Sequence, residues 1–185
     1  IGSTDPVAEG CDATHQNVQN GIRTTAGNGD YWTIAGFIVT ENAGSALSLD
    51  FPHGVTNFRV IENDMSCPLS RASTGCFANG ATTVEIYGNT IHDGGKDVVE
   101  ANRSKFFHHL YVQGSHQWVG WNTIHHNYNC RGIQVHRDNT APFFDVHIFS
   151  NTIHDDRCDG INFVNVNPSL GVVEAYNNVI YRTGT

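Results

Sequence analysis

The sequence predicts an all-β fold: a right-handed parallel β-helix of six to seven coils, each 26–33 residues long, forming a single domain over residues 1–185. Three observations predict it. One asparagine-centred pattern recurs along the chain, its period lies in the solenoid range, and each coil carries a second alternating run.

The pattern reads apolar, any, apolar, any, any, Asn, any, apolar. Its copies are Phe58-Arg-Val-Ile-Glu-Asn63-Asp-Met65, Val84-Glu-Ile-Tyr-Gly-Asn89-Thr-Ile91, Val119-Gly-Trp-Asn122-Thr-Ile124, Val146-His-Ile-Phe-Ser-Asn151-Thr-Ile153 and Val173-Glu-Ala-Tyr-Asn-Asn178-Val-Ile180. Successive asparagines are 26 (63 to 89), 33 (89 to 122), 29 (122 to 151) and 27 (151 to 178) residues apart. Periods of this size belong to stacked repeats. Tyr31 to Thr40 fits one coil earlier, with Phe37 in the asparagine column, and Gly21-Ile-Arg-Thr24 fits a partial coil before that.

The second run appears as Ala46-Leu-Ser-Leu49, Gly75-Cys-Phe-Ala78, His109-Leu-Tyr-Val112, Gly132-Ile-Gln-Val135 and Gly160-Ile-Asn-Phe163. In all five the second and fourth residues are apolar or small, and the two-residue side-chain period of a strand turns them inward. The asparagine column reads as structural: asparagine suits tight corners, and stacked amides can bond from coil to coil.

Composition agrees. Nineteen glycines and one methionine suit short strands joined by tight corners, and no sustained 3.6-residue apolar period announces a long helix. A formal charge of −8, from 10 basic against 18 acidic residues, offers no electrostatic footprint for nucleic acid or an anionic membrane. No apolar run is long enough to span a bilayer, and Ile1 to Gly10 carry no basic-then-apolar leader pattern. The expectation is a soluble, processed chain. No terminal cap is visible, which suggests a piece of something longer, ends covered by a partner, or head-to-tail stacking into a filament.

There are five cysteines. Cys130 and Cys158 each precede the glycine of the second run by two residues, which places them in one column on adjacent coils about 4.8 Å apart, and they are predicted to bridge. Cys67 and Cys76 flank a loop and form a second candidate pair, with a buried Cys76 thiol as the alternative. Cys11 is left over. With no CxxC, a structural zinc site has no sequence support.

The repeats resemble those of right-handed parallel β-helix proteins of the pectate-lyase-like superfamily, from about Tyr31 to Tyr181. The resemblance implies a secreted or cell-surface protein and a polysaccharide partner, with a polysaccharide lyase or glycoside hydrolase among the expected activities. Lyases of this fold remove the proton beside a sugar carboxylate with a Lys, Arg, His or Tyr, while a cation or basic residue neutralises the acid.

Aligned by column, one outward face gathers candidates of that chemistry. His108, Arg131 and Asp159 share one column, Tyr111, Gln134 and Asn162 the next, and Gln113 and His136 a third. The longest coil adds a charged insertion, Asp93 to Lys105, beside them. The catalytic candidates are therefore His108, Tyr111, Arg131, His136, Lys105 and Asp159. The plain alternative is an ordinary polar surface with Arg131 and Asp159 as an ion pair. The Asp-Pro-His signature of alginate epimerases is absent.

His92, His125 and His154 form a second outward column, with Asp93, His126 and Asp155 beside them. His92, His125, His154 and Asp155 are candidate metal ligands, although a straight ladder supplies no obvious third donor and solvated histidines fit as well. Calcium on Asp93, Asp155, Asp156 and Asp159 is a further expectation, set against the use of corner aspartates as turn formers. Exposed aromatics, among them Trp118, Trp121 and Tyr87, could stack on sugars or cover a turn. The rival to an enzyme is a non-catalytic structural or adhesive module that self-associates through open solenoid ends.

Overall fold

The computed structural model describes residues 20–24, 30–40, 44–49, 55–70, 75–136 and 144–184. Cys11 lies outside them. Among the described residues eighteen strands follow one another in triplets: β1 (Ile22–Thr24), β2 (Thr33–Ala35), β3 (Ile38–Thr40); β4 (Leu47–Leu49), β5 (Thr56–Ile61), β6 (Asp64–Ser66); β7 (Gly75–Asn79), β8 (Thr82–Tyr87), β9 (Thr90–His92). The remaining triplets are β10 (His108–Val112), β11 (Gln117–Gly120), β12 (Thr123–His125); β13 (Arg131–His136), β14 (Val146–Phe149), β15 (Thr152–His154); β16 (Ile161–Val164), β17 (Val173–Tyr176), β18 (Val179–Tyr181).

Every third strand pairs in parallel with its counterpart, giving three six-stranded sheets. The first sheet runs β1-β4-β7-β10-β13-β16, so the chain returns to it five times and completes five full turns. The fold is a parallel β-solenoid. Helix is confined, among the described residues, to two short 3₁₀ turns, Glu100–Asn102 and Pro168–Leu170.

The second sheet turns into the third through one corner built the same way each time. Gly36, Glu62, Gly88, Trp121, Ser150 and Asn177 all adopt left-handed backbone, with φ between 54° and 72°. The next residue is Phe37 or an asparagine of the column. Each asparagine amide donates to its neighbour on the following coil: Asn63 to Asn89 at 2.9 Å, Asn89 to Asn122 at 3.0 Å, Asn122 to Asn151 and Asn151 to Asn178 both at 2.9 Å. Phe37, lacking an amide, only donates its backbone N–H to Asn63 Oδ1. The column is a structural ladder.

The core is a continuous stack of inward aliphatic and aromatic side chains, from Ile34 and Leu47 through Phe58, Ile86 and Ile124 to Ile153. One expected register slips by a residue. In β7 the inward residues are Phe77 and Asn79, paired with Leu110 and Val112, rather than Cys76 and Ala78. Gly75 aligns with His108, one position earlier than the glycines of later coils suggest, and this lets the large Phe77 ring enter the core in place of Ala78. Cys76 then turns toward Cys67, and both predicted bridges form: Cys67–Cys76, with Cα atoms 5.6 Å apart, and Cys130–Cys158, at 4.7 Å. Two disulfides suit an oxidising environment. No helix among the described residues is long and apolar enough to cross a membrane.

Candidate functional site

On the outer face of the first sheet, three coils build a cleft of about 400 Å³ lined by Phe106, His108, Tyr111, Arg131, Gln134, His136 and Val164. The pairings are those the column alignment requires, His108 with Arg131 and Tyr111 with Gln134. Four of the six catalytic candidates therefore line one space. The other two hold Arg131 from behind: Asp159 Oδ2 accepts from Arg131 Nε at 2.9 Å, and the Lys105 carbonyl accepts from Nη1 at 3.3 Å. The Lys105 ammonium itself sits over the Phe106 ring, 5.1 Å from its centre. The Arg131 hydrogen bond keeps Asp159 below the usual carboxylate pKa, so this pair stays charged.

Tyr111 Oη lies 2.8 Å from His136 Nδ1. The other ring nitrogen of His136 is 3.3 Å from the Asn165 amide nitrogen. Which group donates at the Tyr111–His136 contact is set by the tautomer of the imidazole. His108, only 4% exposed, has its pKa pushed down to about 3, first by burial and then by the charge of Arg131. It is neutral at ordinary pH. His108 Nδ1 and Gln134 Oε1 are buried without a hydrogen-bond partner among the described residues.

Directly behind His108, the fully buried His109 accepts from the Gly94 N–H at 3.0 Å and faces Asp156 Oδ1 at 3.5 Å. Asp156 also accepts from the Asn127 N–H, tying two coils at the corner between the third and first sheets. Gly132 permits this: a Cβ there would come within 2.5 Å of Asp156 Oδ2. Asp156, named above for calcium, is therefore a buried corner anchor.

The histidine column is a stack of parallel rings. His92 and His125 have centroids 5.3 Å apart, His125 and His154 5.1 Å, and Tyr181 continues the stack 4.8 Å beyond His154. Burial and the neighbouring imidazoles lower the His125 pKa to about 4. Beside the stack, Asp93, His126, Asp155 and Arg182 form a left-handed corner column of their own. The third donor missing from the straight ladder comes from there: His126, His154 and Asp155 each bring one ligand atom within 4.8 Å of the other two. His92 does not join them; it lies between Asp64 and Asp93.

Tyr87, Trp121, Phe149 and Tyr176 pack in one aromatic row along the asparagine corner, and Trp118 stacks on His147. Sequence alone missed Phe106 and Val164 as cleft walls and His126 as a donor. Phe106 directly follows the charged insertion, and His126 follows its strand as Asp93 and Asp155 follow theirs, so both had a signal in position if not in motif. No family model, curated protein or solved structure matches this chain.

Proposed function

We propose that the chain is a carbohydrate-active β-helix of the pectate-lyase-like kind, secreted or displayed at a cell surface, that cleaves an acidic polysaccharide by β-elimination in the cleft of the first sheet. The observation that carries the reading is the Tyr111–His136 contact at 2.8 Å beside the Arg131 guanidinium in one cleft. Arg131, charged and braced by Asp159, is suited to neutralise a uronate carboxylate, which acidifies the adjacent C–H. In this scheme the Tyr111 phenol first passes its proton to His136 Nδ1; the phenolate takes the C–H proton, the C–H electron pair becomes the new C=C bond, the glycosidic C–O bond breaks with its electrons on oxygen, and the phenol returns the proton to the departing oxygen. Gln134 and neutral His108 supply hydrogen bonds to sugar hydroxyls.

A panel of uronic-acid polymers, followed by ultraviolet absorbance of the unsaturated product, tests this directly. Turnover that falls by about 10²-fold or more in Tyr111→Phe, with KM little changed, is the expected result. The rival reading is a non-catalytic structural or adhesive module that self-associates. Absence of turnover on every polymer, together with concentration-dependent assembly in sedimentation, selects it.

A further inference from the structure

We propose that His126, His154 and Asp155 form a binding site for a borderline transition-metal ion of the zinc, cobalt or nickel class, bridging two adjacent coils. The site shares no residue with the cleft of the first sheet and does not depend on the activity assigned there.

His126 comes from the end of one coil, and His154 with Asp155 from the end of the next. The backbone joins the two corners, His126 N–H donating to the His154 carbonyl at 3.2 Å. Left-handed backbone at both His126 and Asp155, φ 59° in each, turns the strand and brings the two side chains to the same outer corner. Asp155 Oδ2 is 2.7 Å from His154 Nδ1 and 3.8 Å from His126 Nε2. Donors around a tetrahedral zinc ion, each about 2.0–2.1 Å from the metal, stand roughly 3.4 Å apart. These two separations bracket that value and all three ligand atoms lie within 4.8 Å of one another, so shifts of about 1–1.5 Å in partly exposed side chains close the set.

Two further features fit a metal. His126 Nδ1 lies 2.6 Å from His125 Nδ1, a contact that requires a hydrogen on one of the two nitrogens. With the hydrogen on His126, His125 is the acceptor that orients the ring, and His126 Nε2 presents its lone pair outward, the outer-shell arrangement of metal-bound histidines. A cation also occupies the carboxylate already: Arg182 donates Nε to Asp155 Oδ1 at 2.5 Å and Nη2 to Oδ2 at 2.6 Å. A divalent ion competes with Arg182 for Oδ2. Two imidazoles and one carboxylate select a borderline metal over calcium, which takes six to eight oxygens. Three protein donors leave a fourth position for water or a ligand, and the groove of about 280 Å³ lined by Glu100, Arg103, Asn127, Tyr128, Asp155 and Arg157 adjoins it. Two coils before Asp155 the carboxylate of the same column, Asp93, is engaged by His92 and Lys96 and, among the described residues, gathers no comparable set.

Titration of the purified full chain with Co²⁺, read by its visible absorption, and with Zn²⁺ by calorimetry, tests the site. One ion per chain is expected, with a Co²⁺ spectrum of four- or five-coordinate character. His126→Gln and Asp155→Asn should each weaken binding at least tenfold, and Arg182→Ala should tighten it by threefold or more. His116→Gln, which alters a separate cluster in which Asp145 lies 2.6 Å from His116 Nδ1 and 2.8 Å from His147 Nε2, should leave it unchanged. No saturable binding, equal affinity in His126→Gln and Asp155→Asn, weakened binding in Arg182→Ala, or loss in His116→Gln would overturn the proposal.

Discussion

Two columns run along the same strands three residues apart, and they behave oppositely. The inner one is Asn63, Asn89, Asn122, Asn151 and Asn178, identical on five successive coils; the outer one in register with it is Ser66, His92, His125, His154 and Tyr181. Both stack at the coil spacing. Inside, each amide must satisfy a backbone carbonyl below it and the next amide above it where water cannot substitute, so one residue type meets the demand. Outside, ring stacking accepts any flat or small side chain, because solvent supplies what the neighbour does not. Uniformity marks the interior and variation the surface, and the surface is where chemistry has room to differ from coil to coil.

The sharpest break between the columns comes from Asn122→Leu. Asn122 accepts from the Asn89 N–H and amide and donates to the Ile86 carbonyl and Asn151, so its loss strands several buried polar groups and is expected to cost about 4 kcal/mol in urea unfolding. A loss under about 1 kcal/mol would show that the inner column is as tolerant as the outer. Replacing Cys130 and Cys158 by serine, which opens a link between residues 28 apart, should cost about 3 kcal/mol relative to the oxidised, disulfide-intact protein.

Acid provides a milder probe of a buried surface-column residue. The His108 pKa of about 3 lies below its unfolded value, so the unfolded chain binds the proton first. The contribution of neutral His108 is complete above about pH 6.5 and is lost as pH falls from there toward 3, with a slope of up to about 1.4 kcal/mol per pH unit. Stability of His108→Gln, followed by denaturant midpoint across that window, should depend less on pH; an unchanged slope would assign acid sensitivity elsewhere. His125→Ala is expected to move stability by less than about 1 kcal/mol, since it removes a partly exposed ring between two others.

The solenoid was legible because its signal is repeated: five asparagines at coil spacing place the corners, and the corners place every neighbouring strand. The same column alignment, from sequence alone, brings His108, Tyr111, Arg131 and His136 to one face. It failed where a coil borrows another coil's landmark. Gly75 resembles Gly132 and Gly160 in sequence, but burial of Phe77 sets the register of β7, and a glycine has no side chain with which to oppose it. Lys105 and Asp159 illustrate a different limit. Asp159 shares the column of Arg131 and Lys105 ends the insertion, yet which atom reaches the cleft depends on the path of the insertion and the rotamer of Arg131, neither of which a repeat encodes. His126 escaped notice as a donor because a period-2 reading ends with the strand, and the left-handed corner that aims it begins one residue later.

The passage from the second sheet to the third always takes two residues: Ala35 to Ile38, Ile61 to Asp64, Tyr87 to Thr90, Gly120 to Thr123, Phe149 to Thr152 and Tyr176 to Val179. All variation in coil length is thereby displaced to the other two corners, where the stretch from His92 to His108 bulges outward without shifting a single ladder pair. The invariant corner works as a binding edge does for pages of unequal width. New segments can be inserted on the open sides, one coil at a time, and the stack beneath them keeps its alignment.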